Sequence, residues 1–474
     1  MNILFVLFFF TTIFLVYYLL SKVGIFPMSI VPVNVFVIFY WINAYLGIFP
    51  LFFGWDPYRI AIGMTNKFLI FKVLLASSGS ILLITITFFI FIKLHPTFKY
   101  KDMKYYSELN APIITKVSKG EEDWFNFVIA IFVICLFVLT IYVLGVGELP
   151  IMSLLKGASS SELAVVRSDS STIFSSKIHW FNLFMVELMK FTCYYFAARL
   201  LIIRANRIKS LILFVVSFLF CSFVAIMNVN KAPIVYLIFS LILIYFICKR
   251  QEINFRTALL IVAVGLSILF VFYKLFFTQG ASVSSTIKSI VGRMFSGSIT
   301  PAYFYFYLFP DNIPFLLGRS FPNPGGVFSR DQYNLTIEVM DFINPTNAEK
   351  GIIGTAPMAF WGESYANYGI PGIILFSVLV GVCLALATYL FHRIIGATNE
   401  RKSSFPIGEY PAWSIAFIVW LTFELERLTF SGISLLLMNE RIVVISFIYL
   451  VGLIMMKNKD TNNKLFLFNK RSFK

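Results

Sequence analysis

Long apolar runs separated by short polar connections recur along the whole chain. They lie at about 3–20, 31–53, 68–92, 125–147, 179–198, 211–227, 232–248, 257–277, 369–391, 411–423 and 441–456. Most are long enough for a helix to cross roughly 30 Å of hydrocarbon. The chain is therefore expected to be all-α, a single polytopic membrane domain over 1–474 with eleven crossings. At 411–423 the helix is free to continue through the polar cluster Glu424, Glu426 and Arg427. A soluble domain is excluded: 59% of the residues are hydrophobic and 13% charged, where soluble domains carry roughly 25% charged residues.

The net charge of +16 marks topology. No basic block stands beside an RNA- or DNA-binding pattern, so nucleic acid is not an expected partner. Lys93, Lys99, Lys101, Lys104, Lys116 and Lys119 fill a basic loop at 93–124, and Arg199, Arg204, Arg207 and Lys209 fill 199–210. Lys249, Arg250 and Arg256 mark the next such connection, and Arg393, Arg401 and Lys402 another. The tail 457–474 carries Lys457, Lys459, Lys464, Lys470, Arg471 and Lys474, basic residues suited to anionic membrane lipid. With eleven crossings these fall on one side, which the excess of Lys and Arg makes cytoplasmic. The opposite side then receives 54–67, 148–178, 228–231, 278–368 and 424–440. The tail is expected to be a disordered or interfacial segment. The first twenty residues lack a basic start and a small-residue cleavage site and read as a retained helix. The five cysteines occur singly in or beside apolar runs and suggest neither a disulfide framework nor a zinc site.

The stretch 278–368 holds 91 residues without a membrane-length apolar run, and irregular backbone at a membrane needs cover from protein or water. It is the expected site. Its arginines are Arg293 in V-G-R-M-F, Arg319 in L-L-G-R-S-F-P-N-P-G-G and Arg330 in F-S-R-D-Q-Y; Arg167 lies in the other long connection of that side, 148–178. Guanidinium groups bind planar phosphate oxygens through paired hydrogen bonds, so several converging on one cavity suit a diphosphate. The alternative is that such loops simply carry some basic residues. The turn N-V-N-K-A-P puts Asn230 and Lys231 before a helix with Pro233 in its first turn. That helix start favours anions, although Lys231 can equally serve as an interfacial anchor. G-R-S-F-P-N-P-G-G-V-F is turn-forming and lets backbone approach a ligand, with a plain turn as the alternative.

Glu363, in W-G-E-S-Y-A-N-Y-G-I-P-G, stands before an apolar helix beside Trp361, Tyr365 and Tyr368. A shielded carboxylate there suits proton abstraction from a hydroxyl, and the aromatic rings suit sugar faces. The competing reading pairs Glu363 with a loop arginine to hold the fold. Of the histidines only His179 is near that side, as a catalytic group or as an interfacial residue. No H-E-x-x-H, D-x-D or G-x-S-x-G pattern is present. Glu187 and Lys190, three apart within 179–198, are expected to pair.

These features resemble the Wzy-type oligosaccharide repeat-unit polymerases of O-antigen and exopolysaccharide synthesis. The matching residues are the arginine-bearing loops 148–178 and 278–368, N-V-N-K-A-P before one helix, and W-G-E-S-Y-A-N-Y-G-I-P-G leading into another. The resemblance implies the GT-C-like architecture of lipid-linked glycan polymerases and ligases in a bacterial cytoplasmic membrane, with the site on its outer face. It implies transfer of a glycan from a polyprenyl diphosphate to another carrier-linked repeat unit. Glu363, Arg293 and Arg319 would then be catalytic, and Arg167, Lys231, Arg330, Asn230 and Tyr365 would bind the substrate or its diphosphate. A chain-length regulator and a flippase would be its protein partners. No cofactor or metal is called for, because diphosphate is already a capable leaving group. An O-antigen ligase or another lipid-linked glycosyltransferase is a further reading, although the site histidine of ligases has no clear match. A lipid-linked glycan transporter or a nonenzymatic membrane subunit would share the hydrophobicity and charge.

Overall fold

Among the described residues every regular element is helical, with two isolated bridges, Ile114 to Ile203 and Phe360 to Gly432. The computed structural model describes residues 1–94, 114, 117–158, 160–172, 178–229, 232–251, 253–276, 282–323, 326–349, 351–396, 411–437 and 439–471. Among the described residues eight helical stretches are long and apolar enough to cross a membrane: Asn2–Ser21, Pro32–Phe52, Lys67–Leu94, Lys119–Val146, Arg207–Met227, Ala232–Lys249, Phe360–Ile395 and Ile433–Asn458. The chain is thus a polytopic helical membrane protein.

Three of the eleven expected apolar runs lie outside these eight stretches. The run 179–198 is Ile178–Phe181, then a wide π-helical segment Asn182–Leu188, then Met189–Ile202, and Glu187 and Lys190 interrupt its apolar character. The run 411–423 is the 16-residue helix Pro411–Glu426, short for a span. The run 257–277 is the 22-residue helix Phe255–Phe276. Within the expected loop 278–368 lie short helices: Val283–Gly292, a π-helical Arg293–Gly297, Ser298–Leu308, Leu335–Ile343 and Pro345–Glu349. Ser298–Leu308 is buried along most of its length. Its I-T-P-A-Y-F-Y-F-Y-L is too short and too rich in tyrosine to register as a span. At the tail the helix Glu440–Arg471 runs on past the apolar residues.

Local chemistry sets several helix starts. Pro32, Pro57 and Pro150 occupy first turns, where a missing amide hydrogen removes nothing. The Ser118 hydroxyl oxygen accepts the amide of Glu121 at 3.1 Å, and Glu121 and Glu122 lie in the positive first turn of Lys119–Val146.

Two compact units are built from interleaved segments. One comprises Met1–Asp102, Phe255–Tyr389 and Glu424–Asn439, and the other Met103–Asn254, Leu390–Phe423 and Glu440–Lys474. In the first, Lys67–Leu94 is the central strut. Asn2–Ser21 packs on it, and Ser77 accepts the Tyr40 hydroxyl through its carbonyl at 2.8 Å. Ser80 and Ser377 share a hydrogen bond at 2.8 Å. One turn beyond Ser377, a Cβ on Gly381 would stand 2.8 Å from Thr87 Cβ and 2.9 Å from the Ile84 carbonyl oxygen. Small residues at this crossing let Phe360–Gly396 lie against the strut, the close approach that packs helices when lipid supplies no hydrophobic drive.

The second unit buries two charged clusters. Arg199 is fully buried, 3.0 Å from Glu122 and 3.7 Å from Glu121, over the Phe125 ring. Glu187 is 1% exposed and pairs with Lys190 at 3.0 Å, as its spacing predicted. It also meets Arg441 at 3.8 Å and accepts from Trp420 Nε1 at 3.2 Å.

Candidate functional site

The chain around Glu363 is helical from Phe360 and breaks at Gly369, where φ is 64° and ψ is −148°. That backbone region is essentially closed to residues with a Cβ. Breaking a helix leaves carbonyls without amide partners, and here a neighbouring loop supplies them. The amides of Leu316 and Leu317 donate to the carbonyls of Ala366 and Asn367, each at 3.0 Å.

The same loop continues as Gly318-Arg319-Ser320 and ties down the polar side chains of the short helix. Gly318 N–H donates to Asn367 Oδ1 at 2.8 Å. Asn367 Nδ2 donates to Ser320 Oγ at 2.7 Å and to the Glu363 carbonyl at 2.8 Å. Ser320 Oγ donates to Glu363 Oε1 at 2.7 Å, and Ser434 N–H donates to Glu363 Oε2 at 2.8 Å. Asn367 and Ser364 are fully buried and Glu363 is 6% exposed. Among the described residues no cation pairs with Glu363, so the expected alternative of an arginine partner gives way to a serine hydroxyl and a backbone amide. An ionised carboxylate offers about four lone-pair positions; two are occupied, and a substrate hydroxyl can use another.

Gly318 has φ +88°, and a Cβ there would stand 2.6 Å from Arg330 Nη1 and 2.7 Å from the Tyr368 hydroxyl. The glycine-rich turn is therefore a clamp: the missing side chain admits a guanidinium and a phenol beside the loop that holds Glu363. Arg330 lies over the Phe328 ring, 4.8 Å from its centroid, and its enclosed Nε donates to nothing. Arg319 is exposed, 5.9 Å from the Tyr333 ring centroid. Neither arginine has a carboxylate partner among the described residues.

The other expected residues fall elsewhere. Arg293 opens the π-helical segment Arg293–Gly297 beside Arg59: the position of a Gly297 Cβ is 3.2 Å from Arg59 Nη2 and 3.8 Å from Arg293 Cβ. Burial holds the Arg59 guanidinium below its ordinary pKa; Asp56 and Tyr58 oppose that shift, and Arg293 adds to it. Tyr365 is committed to packing. Its ring stacks on Phe306 at 3.9 Å, and its hydroxyl donates to the Phe309 carbonyl at 3.2 Å. Arg167, in the second unit, donates to the carbonyls of Asn228 and Val229, closing the end of Arg207–Met227 as a helix cap. Asn230 and Lys231 lie outside the described residues, as does most of the basic loop 93–124. His179 is exposed beside Trp180.

Sequence reasoning passed over Ser320, Asn367, Ser434, Gly432 and Arg59. Asn367 follows Glu363 by four positions, the spacing of one helix face, and was recoverable. Arg59 lies in D-P-Y-R, where Asp56 caps the helix that Pro57 begins. Ser434 contributes its backbone amide, which no residue type reveals. No protein-family model, curated protein or solved structure matches this chain.

Proposed function

We propose that this protein is a membrane glycosyltransferase that polymerises polyprenyl-diphosphate-linked oligosaccharide repeat units on the outer face of a bacterial cytoplasmic membrane. The observation that carries this reading is the buried Glu363 carboxylate. It is hydrogen-bonded and is tied through Gly318 and Ser320 to a loop bearing Arg319 and Arg330, and among the described residues none of the three side chains is ion-paired. A base and a source of positive charge on one rigid clamp suit displacement at a glycosyl diphosphate. The resemblance in sequence supplies the substrate class.

In this reaction the acceptor hydroxyl oxygen bonds to the anomeric carbon while the bond from that carbon to the diphosphate oxygen breaks. Glu363 takes the hydroxyl proton, and the polyprenyl diphosphate leaves with the bonding pair. Arg319 and Arg330 stabilise the charge it gains. Ser320, Asn367 and Ser434 N–H are positioning groups that fix the carboxylate. Arg167 acts through the helix end it caps, and Tyr365 through packing.

The test is glycan length after the purified protein in lipid vesicles receives repeat units extracted from source cells, without ATP or sugar nucleotide. A ladder spaced by one repeat supports the proposal. Transfer to a different lipid selects a ligase, and intact glycans crossing the bilayer select a transporter.

A further inference from the structure

The pair Arg59 and Arg293 presents an excess of positive charge in a constructed setting. Among the described residues Asp56 is the one carboxylate in contact: its Oδ1 accepts the Arg59 amide at 3.3 Å, and its Oδ2 stays 3.9 Å from Arg59 Nε, beyond hydrogen-bond reach. Arg59 Nε is enclosed and donates to nothing, an arrangement that a ligand oxygen would relieve. The Tyr58 ring, 4.8 Å from Arg59 Cζ, fixes the guanidinium plane. Arg293 is exposed and has no carboxylate partner among the described residues. The π-helical turn Arg293–Gly297, a local widening often found at functional sites, brings Gly297 under Arg59 Nη2. Beside the pair, Trp55 and Tyr58 are 67% and 58% exposed; Trp55 rests against Phe49 and Phe53 and keeps aromatic surface open next to the charge.

We propose that Arg59 and Arg293 form a binding site for a diphosphate or phosphate-ester anion, with Arg59 supplying the oriented fork and the exposed rings of Trp55 and Tyr58 covering the group that carries the phosphate. Two guanidinium groups match phosphate oxygens through parallel hydrogen bonds, and Asp56 tempers the site by offsetting one of the two charges. The inference rests on the proposed function only for the source of the anion.

The test titrates inorganic pyrophosphate into the full-length protein in detergent and reads heat of binding. Wild type is expected to saturate. Arg59→Gln and Arg293→Gln should each weaken binding about tenfold or more, and Arg59→Lys should weaken it similarly because an ammonium is a point charge without a fork. Asp56→Asn keeps a helix cap and removes the opposing charge, so it should tighten binding about threefold. This gain separates a binding site from a merely structural cluster. Unchanged affinity across the variants, or no binding by wild type, would overturn the site. A second arm uses geranylgeranyl diphosphate in nanodiscs. Losses with both probes assign a lipid headgroup, and losses with pyrophosphate alone assign a soluble phosphate. If the variants lose pyrophosphate while wild type builds no glycan ladder, the anion site stands and the polymerase reading falls.

Discussion

Adding one methyl group at Gly432 perturbs Glu363 without altering a charged residue. Gly432 has φ −63° and ψ 164°, ordinary extended backbone, so Gly432→Ala introduces no conformational strain. The new Cβ would run into Glu363 Oε2 and stand 2.8 Å from its Cδ. The carboxylate has little room to retreat: Ser320 holds Oε1 at 2.7 Å, and Phe360, three residues before it, bridges to Gly432 itself. Overpacking costs about 1–3 kcal/mol, and loss of the Ser434 amide bond to a charged acceptor about 1.5–3 kcal/mol. A total of about 3–5 kcal/mol corresponds to a fall of roughly 3–5 °C in apparent melting temperature, read by scanning fluorimetry in detergent. Glu363→Asp withdraws the carboxylate by about 1.5 Å, so the double variant should regain part of the loss, with a coupling energy of about 0.5–3 kcal/mol. A Gly432→Ala protein that melts and turns over like wild type would refute the packing argument. So would strict additivity with Glu363→Asp.

Glu363→Gln keeps the shape and one acceptor for Ser434 N–H, so it should melt within a few degrees of wild type yet lose about 10²–10⁴-fold in glycan transfer; normal turnover would remove the base assignment. Gly318→Ala places a Cβ against Arg330 and Tyr368 at φ +88° and should destabilise by about 1–3 kcal/mol while weakening transfer, both measurable on the purified variant. In the second unit, Glu187→Ala leaves Lys190 and Arg441 without their buried carboxylate; a loss of about 3–5 kcal/mol is expected, detectable as faster proteolysis in detergent.

The helical membrane class was legible because apolar run length is itself the physical requirement for crossing lipid. Glu187 and Lys190 were legible as a pair because helix spacing puts such residues on one face, but Arg441 joins them from far along the sequence. The short helices inside 278–368 were not legible for a definite reason: a buried helix such as Ser298–Leu308 needs neither membrane length nor uniform apolarity when protein surrounds it. At the site, Glu363 and the glycine-rich turn stood out as separate features. Their connection through Asn367, Ser320 and a backbone amide depends on a fold that no local pattern encodes. For Arg167 a polar connection does not reveal that its guanidinium donates to the carbonyls of Asn228 and Val229, because those partners lie about sixty residues further along the chain.

The most direct measurement is the stoichiometry of a single round, followed by mass spectrometry, with purified protein in vesicles and one defined carrier-linked repeat unit as both donor and acceptor. The account predicts one released polyprenyl diphosphate for each glycosidic bond formed, and a product carrying two repeats on one carrier. Glu363→Gln should suppress bond formation and release together. Carrier release without a glycosidic bond, or glycan growth with no carrier released, would contradict it.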